Sequence, residues 1–305
     1  MKHDTLPDDV MTLNKSIFKV ALLCLVFLST TVMAGGSSIR VVTSFSILED
    51  LVNELGGEYV NVLNLVGRNS DAHIYQPKPS DAVAIANAEL VVFNGLEFEG
   101  WISRLIENAE YKNKQLVASI GVDAITFGEE VDPHAWQSFH NIRIYIENIT
   151  QSLMILRPEH TKKFIQNKQR YLHSITVLEN KLLEQIEKIP QDNRIVVTSH
   201  DAFGYLGREF NIRFLSPVGL NIEIEASAED VAAVIDKIRA QQVGAIFMEN
   251  ISNPRLLQRI ADETDIAIGG SLYSDALSEV NGPASTYLHM MRHNIESLII
   301  SFSTI

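Results

Sequence analysis

The first part of the chain, up to residue 120, alternates short apolar runs with stretches whose apolar residues recur at helical spacing. Short apolar runs between polar turns are typical of buried strands, and recurrence at roughly every third or fourth residue is typical of helices. The predicted strands lie at residues 39–43, 59–66, 90–93 and 115–120, and the predicted helices at residues 47–55, 79–88 and 99–109. Ser80 or Asp81 should lie near the N-cap of the second helix. This alternation predicts a mostly parallel sheet with helices on both faces.

The middle of the chain is predicted to be helical. Residues 141–156 form one predicted helix that ends at Arg157-Pro158, and Pro158 suits the first turn of the next helix. This next helix continues to about residue 189 without Gly or Pro. Its apolar residues form one stripe, namely Phe164, Tyr171, Ile175, Leu178, Leu182 and Ile186. A helix of about 30 residues is roughly 45 Å long, enough to run the length of a two-lobed protein. The alternative is a simple layer of two packed helices.

Strand and helix alternate again beyond Pro190. The sequence predicts strands at residues 194–198, 244–248 and 267–270, and helices from Asp201 onward and at residues 228–241, 254–263 and 284–301. Ser227 is the predicted N-cap of the helix at 228–241. We therefore predict an α/β protein of two lobes, each a mostly parallel sheet flanked by helices, joined by one long rigid helix. The predicted segments are a signal peptide at 1–34, a first lobe at 35–157, a connecting helix at 158–189 and a second lobe at 190–305.

The N-terminal segment has the pattern of a secretory signal peptide. Lys15 and Lys19 precede an apolar run at residues 20–28, and Val32-Met33-Ala34 forms a small-residue cleavage pattern. The run is too short to span a membrane. The sequence leaves open whether Met1 or Met11 is the true start. The predicted location is the periplasm.

Cys24, the only cysteine, lies inside this apolar run. A lipoprotein signal needs a small residue just before its cysteine, whereas Leu22 and Leu23 precede Cys24, so we predict no lipid anchor. After cleavage the chain has no cysteine and can form neither a disulfide nor a thiolate metal site. Any metal must then be bound through nitrogen and oxygen.

The overall charge narrows the range of partners. Hydrophobic residues make up 46% of the chain, which is typical of a soluble globular protein, and the formal net charge is −13. Nucleic acid is not expected as a partner, because phosphate binding needs a basic face.

Four residues with metal-binding side chains lie in loops beyond the C-terminal ends of predicted strands: His73, His134, His200 and Asp275. Open parallel sheets bind ligands at this edge, so the four residues can meet in a cleft between the lobes. Neutral imidazole and carboxylate suit zinc, and the same set tolerates manganese, cobalt, nickel or copper. A single loop histidine is more often a surface or capping residue, so the positions alone only suggest a site.

The segments around these residues resemble those of the zinc- and manganese-binding solute-binding proteins of ABC transporters. The four ligand segments that carry the resemblance are DAHIYQPKPSD at 71–81, DPHAW at 132–136, SHDAFGYL at 199–206 and SLYSD at 271–275. Further matches are NGLE at 94–97 with Trp101, Gly282-Pro283 and Tyr287-Leu288. The resemblance runs from about residue 39 to the C-terminus.

The resemblance implies two α/β lobes, a rigid connecting helix and a metal held between the lobes by His73, His134, His200 and Asp275. It also implies a membrane permease and its ATPase as partners, and a periplasmic metallochaperone is a further candidate. The expected protein is a monomer without catalytic activity that captures its metal as cargo.

The metal predicted from these segments is Zn²⁺, with Mn²⁺ as the alternative. Manganese members of the family often have Glu at the third ligand position, where this chain has His200. A set of three imidazoles and one carboxylate is softer and favours zinc. Many zinc members carry a long His-rich loop before the second ligand. Here the corresponding segment, residues 127–131, is short and contains no histidine.

Glu249 ends a predicted strand and should point toward the cleft. Metal-bound histidines usually donate their second ring N–H to a carboxylate or carbonyl, so Glu249 is the candidate partner of a ligand, and the alternative is a helix-capping or salt-bridging acid. Trp136 and Tyr273 are predicted walls of the cleft.

The other histidines are weaker candidates. His289 and His293 are four residues apart on a predicted helix and share a face, but no third ligand is evident, so a solvated face is the preferred interpretation. His140, His160 and His173 are not predicted to be ligands.

Two other functions compete with metal capture. A zinc hydrolase would keep an open metal position and a general base, whereas Asp275 fills the fourth position and no HExxH pattern occurs. A surface adhesin would need a lipid anchor or exposed repeats, and neither is predicted.

Overall fold

The computed structural model describes residues 38–220, 226–241 and 243–303. The predicted signal peptide at 1–34, with Cys24, lies outside the described residues. Within the described part of the chain, no helix is long and apolar enough to cross a membrane.

A four-stranded parallel sheet forms the first lobe, with strand order β2-β1-β3-β4. Its strands are β1 (Ile39–Phe45), β2 (Val60–Val66), β3 (Leu90–Phe93) and β4 (Lys114–Val117). Every residue of β1 except Arg40 is buried, as expected for a central strand with both faces covered.

A second four-stranded parallel sheet forms the second lobe, after a short antiparallel hairpin of β5 (Thr126–Phe127) and β6 (Glu130–Val131). The strand order is β10-β9-β7-β8. Its strands are β7 (Ile195–Val197), β8 (Arg213–Leu215), β9 (Ala245–Glu249) and β10 (Ile268–Leu272). The sequence did not predict β5, β6 or β8, because runs of two or three residues carry no readable periodicity.

Helices cover both sheets. They are α1 (Ser46–Gly56), α2 (Pro79–Asn87), α3 (Ile102–Asn108), α4 (Phe139–Leu156), α5 (Thr161–Ile186), α6 (Gly204–Phe210), α7 (Ala228–Ala240), α8 (Arg255–Thr264) and α9 (Tyr287–Phe302). The observed architecture confirms the predicted fold class of two parallel sheets flanked by helices and joined by a long helix.

The connecting helix α5 has 26 residues and is about 39 Å long. It begins after a 3₁₀ turn at Pro158–His160, whereas the sequence predicted one helix from Pro158. All six residues of its predicted apolar stripe are buried. The stripe packs against α1, α4 and α9.

Local hydrogen bonds set the starts and caps of three helices. The N-cap of α2 is Lys78, and Asp81 lies in the first turn, where its carboxylate accepts the Lys78 N–H at 2.7 Å. Helix α6 begins at Gly204 instead of Asp201, because the Asp201 N–H bonds to Gly219 O at 3.2 Å. Ser227 caps α7 as predicted.

Candidate metal centre

The structure brings His73, His134, His200 and Asp275 together at one point. His73 lies in the loop after β2, and His134 lies between β6 and a 3₁₀ turn at Ala135–Gln137. His200 follows β7, and Asp275 follows β10. One ligand atom from each residue lies within 4.8 Å of those of the other three. Within the described ranges, no other cluster of three or more such side chains is close enough for a metal.

The spacing of these atoms fits a small divalent cation. His73 Nε2 is 3.3 Å from His134 Nε2 and 3.6 Å from Asp275 Oδ2. Asp275 Oδ1 is 3.6 Å from His134 Nε2, and Asp275 Oδ2 is 3.4 Å from His200 Nε2. Four ligands about 2.0–2.1 Å from one zinc ion at tetrahedral angles would lie about 3.3–3.4 Å apart. The distance between His73 and His134, and those from Asp275 to the three imidazoles, are therefore close to the distances that such an ion requires.

The centre is buried, and its carboxylate faces imidazole nitrogens. The side chains of His134, His200 and Asp275 have no exposed surface, and that of His73 is 6% exposed. Neither carboxylate oxygen of Asp275 accepts a hydrogen bond from a described residue. Buried charges in proteins are paired or coordinate metals, and the groups that face Asp275 are three imidazoles, at 3.4–3.6 Å.

The ionisation of the centre is asymmetric. Burial on its own would raise the pKa of Asp275, but the surrounding histidines hold this pKa below its usual range. Burial lowers the pKa of His73 to about 3, so this ring is neutral at neutral pH. Burial also acts to lower the pKa of His200, but the carboxylates of Glu249 and Asp275 outweigh it and raise that pKa well above 6.5.

Acidic residues lie behind two of the histidines and fix their orientation. Glu249 Oε2 is 2.8 Å from His200 Nδ1, and Glu249 Oε1 accepts the backbone N–H groups of Ser199 and His200. Asp132 Oδ1 lies 2.8 Å from His134 Nδ1 and also accepts the His134 N–H. In both cases the Nε2 atom is left to face the centre.

Sequence reasoning did not single out Asp132 or Asp71. Asp71 Oδ1 accepts the backbone N–H of His73 at 2.7 Å, in the same way as Asp132 does for His134. The repeated pattern Asp-x-His, at 71–73 and 132–134, was the available signal. An Asp two residues before a ligand closes an Asx turn and so fixes the backbone that carries the imidazole.

The Asn94 to Trp101 segment holds two of the ligand loops in place. Trp101 Nε1 donates to Ala72 O at 2.8 Å, next to His73. Asn94 Nδ2 donates to Pro133 O at 2.9 Å, next to His134. Glu99 is fully buried and accepts the Asn94 N–H, and burial raises its pKa to about 7.

The remaining histidines take other partners. His289 Nδ1 lies 3.2 Å from Ser285 Oγ, and His293 Nε2 lies 2.9 Å from Ser271 O. The two histidines therefore contact different residues. His160 stacks on Tyr59, and His140 and His173 are exposed on their helices.

The protein has two α/β lobes, each with a parallel sheet, and a buried site of imidazole and carboxylate groups between them. This combination is typical of a solute-binding protein for a metal ion. The family profile described as "Zinc-uptake complex component A periplasmic" (ZnuA) matches residues 41–299. The chain belongs to this family of ABC-transporter metal-binding components.

Individual relatives are named for different metals. The chain is 30% identical to the manganese-binding lipoprotein MntA of Halalkalibacterium halodurans, over 88% of this chain and 90% of MntA. It is also 30% identical to the iron-binding protein YfeA of Yersinia pestis, over 86% of both chains.

Solved structures of relatives share the fold. The manganese-bound periplasmic metal-binding protein of Candidatus Liberibacter asiaticus has a TM-score of 0.80 and 32% identity, covering 87% of this chain and all of that one. The periplasmic zinc-binding protein TroA of Treponema pallidum has a TM-score of 0.84 and 26% identity, covering 87% of this chain and 99% of TroA.

Proposed function

We propose that this protein captures one divalent transition metal ion through His73, His134, His200 and Asp275 and delivers it to the permease and ATPase of an ABC importer. The observation that carries the proposal is the close approach of one possible ligand atom from each of these four residues, all within 4.8 Å of one another, in a centre that is almost fully buried. Since all four positions are filled by protein, no open position is left for substrate hydrolysis, which argues against a zinc hydrolase. The protein acts as a monomer, and a periplasmic metallochaperone is a further candidate partner.

Glu249 holds His200 in the tautomer that exposes Nε2 to the metal. The proposal rests on the 2.8 Å contact between Glu249 Oε2 and His200 Nδ1. Asp132 acts on His134 in the same way, again over 2.8 Å. Such partners raise the basicity of a ligand and fix its ring.

Zn²⁺ is the proposed cargo, and Mn²⁺ is the alternative. Three imidazoles and one carboxylate, with neighbouring ligand atoms 3.3–3.6 Å apart, suit a four-coordinate zinc ion. Manganese prefers oxygen ligands and stands below zinc in the affinity order of divalent metals. The manganese-bound structure of a 32% identical relative favours the alternative.

Competition between the two metals tests this assignment. The protein, purified without added metal and stripped with chelator, is loaded with an equimolar mixture of Zn²⁺ and Mn²⁺ and analysed by mass spectrometry of the metals. We expect one equivalent of metal per chain, nearly all of it zinc. Retention of manganese in the presence of equimolar zinc would overturn the choice of zinc and leave the capture function standing.

The affinity for Zn²⁺ should fall at acidic pH because His200 must lose a proton to bind metal. The pKa of His200 is raised, so the metal-free protein carries this proton at neutral pH, and affinity should fall by about tenfold per pH unit below that pKa. Protons do not compete with zinc for His73 near neutral pH, because the pKa of His73 is about 3. Calorimetry in buffers of different ionisation enthalpy should show about one proton released from His200 per zinc. An affinity that stays constant between about pH 7.5 and pH 5.5 would contradict a histidine site.

The proposed location is the periplasm, reached through cleavage after Ala34. The family is periplasmic, and a 30% identical relative is named as a lipoprotein. Lipid attachment at Cys24 is therefore the competing outcome, although Leu22 and Leu23 do not form a lipoprotein signal. The intact mass of protein purified for the metal competition separates a chain that begins at Gly35 from a chain with a lipid on Cys24.

A further inference from the structure

Asp275 belongs to the second lobe in sequence, but the segment that carries it is bonded to the first lobe. Trp136 Nε1 donates to Ser274 O at 2.9 Å, and Gln137 Nε2 donates to the same oxygen at 2.6 Å. Both donor residues are fully buried, and both follow His134 in the chain. One carbonyl next to Asp275 thus receives two hydrogen bonds from the segment that carries another proposed ligand.

The chain on the other side of Asp275 is tied to the first lobe as well. The Leu277 N–H donates to Ser46 Oγ at 2.9 Å, and Leu277 O accepts the Asn69 N–H at 3.0 Å. Arg68 Nη1 donates to Ser278 O at 2.8 Å. Asn250, which follows β9 in the second lobe, donates from Nδ2 to Ala276 O at 3.2 Å. The segment that carries Asp275 is therefore bonded to both lobes.

His200 is held in a different way. The N–H groups of Ser199 and His200 donate to Glu249, and the Asp201 N–H donates to Gly219, so all three bonds stay within the second lobe. Tyr205 lies five residues further along the chain, and its OH donates to Asp132 O at 2.9 Å. This hydrogen bond ties the second lobe to the first lobe. The backbone hydrogen bonds on both sides of His200 are thus made with residues of the second lobe.

We infer that Trp136 and Gln137 are positioning residues that act through Asp275. By holding Ser274 O, the segment that carries His134 in the first lobe fixes a proposed ligand that follows β10 of the second sheet. His200 is positioned separately, by Glu249 within the second lobe. This inference rests on the proposed function.

A double-mutant cycle on Gln137 tests this arrangement. Gln137→Met keeps the side-chain size and removes the amide that holds Ser274 O. The matched control is Gln151→Met, since Gln151 is exposed on α4 and donates only to Glu147. Zinc affinity is measured by chelator competition, and the melting temperature of each metal-free variant checks folding. We expect Gln137→Met to weaken zinc binding by about 10- to 100-fold and Gln151→Met to leave it unchanged.

The cycle then asks through which ligand Gln137 acts. If Gln137 acts through Asp275, Gln137→Met has little further effect in an Asp275→Asn background and its full effect in a His200→Ala background. A full additional loss in both backgrounds, or no loss in the wild-type background, would overturn the inference. The proposed function fails separately, if neither Asp275→Asn nor His200→Ala weakens zinc binding by itself.

Discussion

Asp275→Asn is expected to weaken zinc binding by roughly a thousand-fold, the largest effect of any single substitution in this protein. Apparent zinc-binding free energies of about 10–16 kcal/mol at four-ligand sites correspond to about 2.5–4 kcal/mol per ligand, or about 100- to 1,000-fold in affinity. Asp275 should lie at the upper end of this range, because it is the one anion among the four and is fully buried. The substitution keeps the size of the side chain and removes its charge.

The measurement is zinc affinity by competition with chelators of graded strength. Asp236→Asn, on the exposed face of α7, is the matched control, since it removes the same charge from an exposed position outside the ligand segments. Metal-free Asp275→Asn should remain folded by circular dichroism. If its zinc affinity stays within a few-fold of the wild type, Asp275 is not a ligand.

His200→Ala should weaken zinc binding by about 100- to 1,000-fold while the stoichiometry stays at one metal per chain. The segments that carry His73, His134 and Asp275 are held by contacts that do not involve His200. The substitution also leaves the buried Glu249 carboxylate without its imidazole, so His200→Ala combined with Glu249→Gln should fold better than His200→Ala alone.

Titration with Co²⁺, whose visible absorption reports coordination, distinguishes a weakened site from a lost one. The control is His173→Ala, an exposed histidine on α5. Zinc affinity near the wild-type value in His200→Ala would show that the ligand assignment is wrong. Loss of all metal binding would show that the other three proposed ligands do not form a site by themselves.

The sequence could assign the proposed ligands to the strand ends because most of them follow predicted strands directly. Parallel strands bring their carboxyl ends to one edge, so His73 and His200 could be assigned to the cleft before their distances were known. His134 follows the short hairpin β5–β6 instead of β4 directly, and its place depended on the resemblance of the DPHAW segment. Glu249 could be predicted in the same way, since it ends a strand beside the one that leads to His200.

Other features depend on contacts that no local pattern contains. The bond from Gln137 to Ser274 joins residues 137 positions apart, and neither residue type indicates the other. Strand β8 is defined by its pairing with β7, since its three residues carry too little pattern. Asp71 and Asp132 could have been found, because the two Asp-x-His repeats express a local backbone geometry.

The most direct test of the central claim is the anomalous difference density of a crystal grown with one equivalent of Zn²⁺ and measured at the zinc absorption edge. The account predicts one peak, about 2.0–2.2 Å from the Nε2 atoms of His73, His134 and His200 and from a carboxylate oxygen of Asp275. A peak elsewhere, for example between His289 and His293, or a peak bound by fewer than three of the four residues, would contradict it.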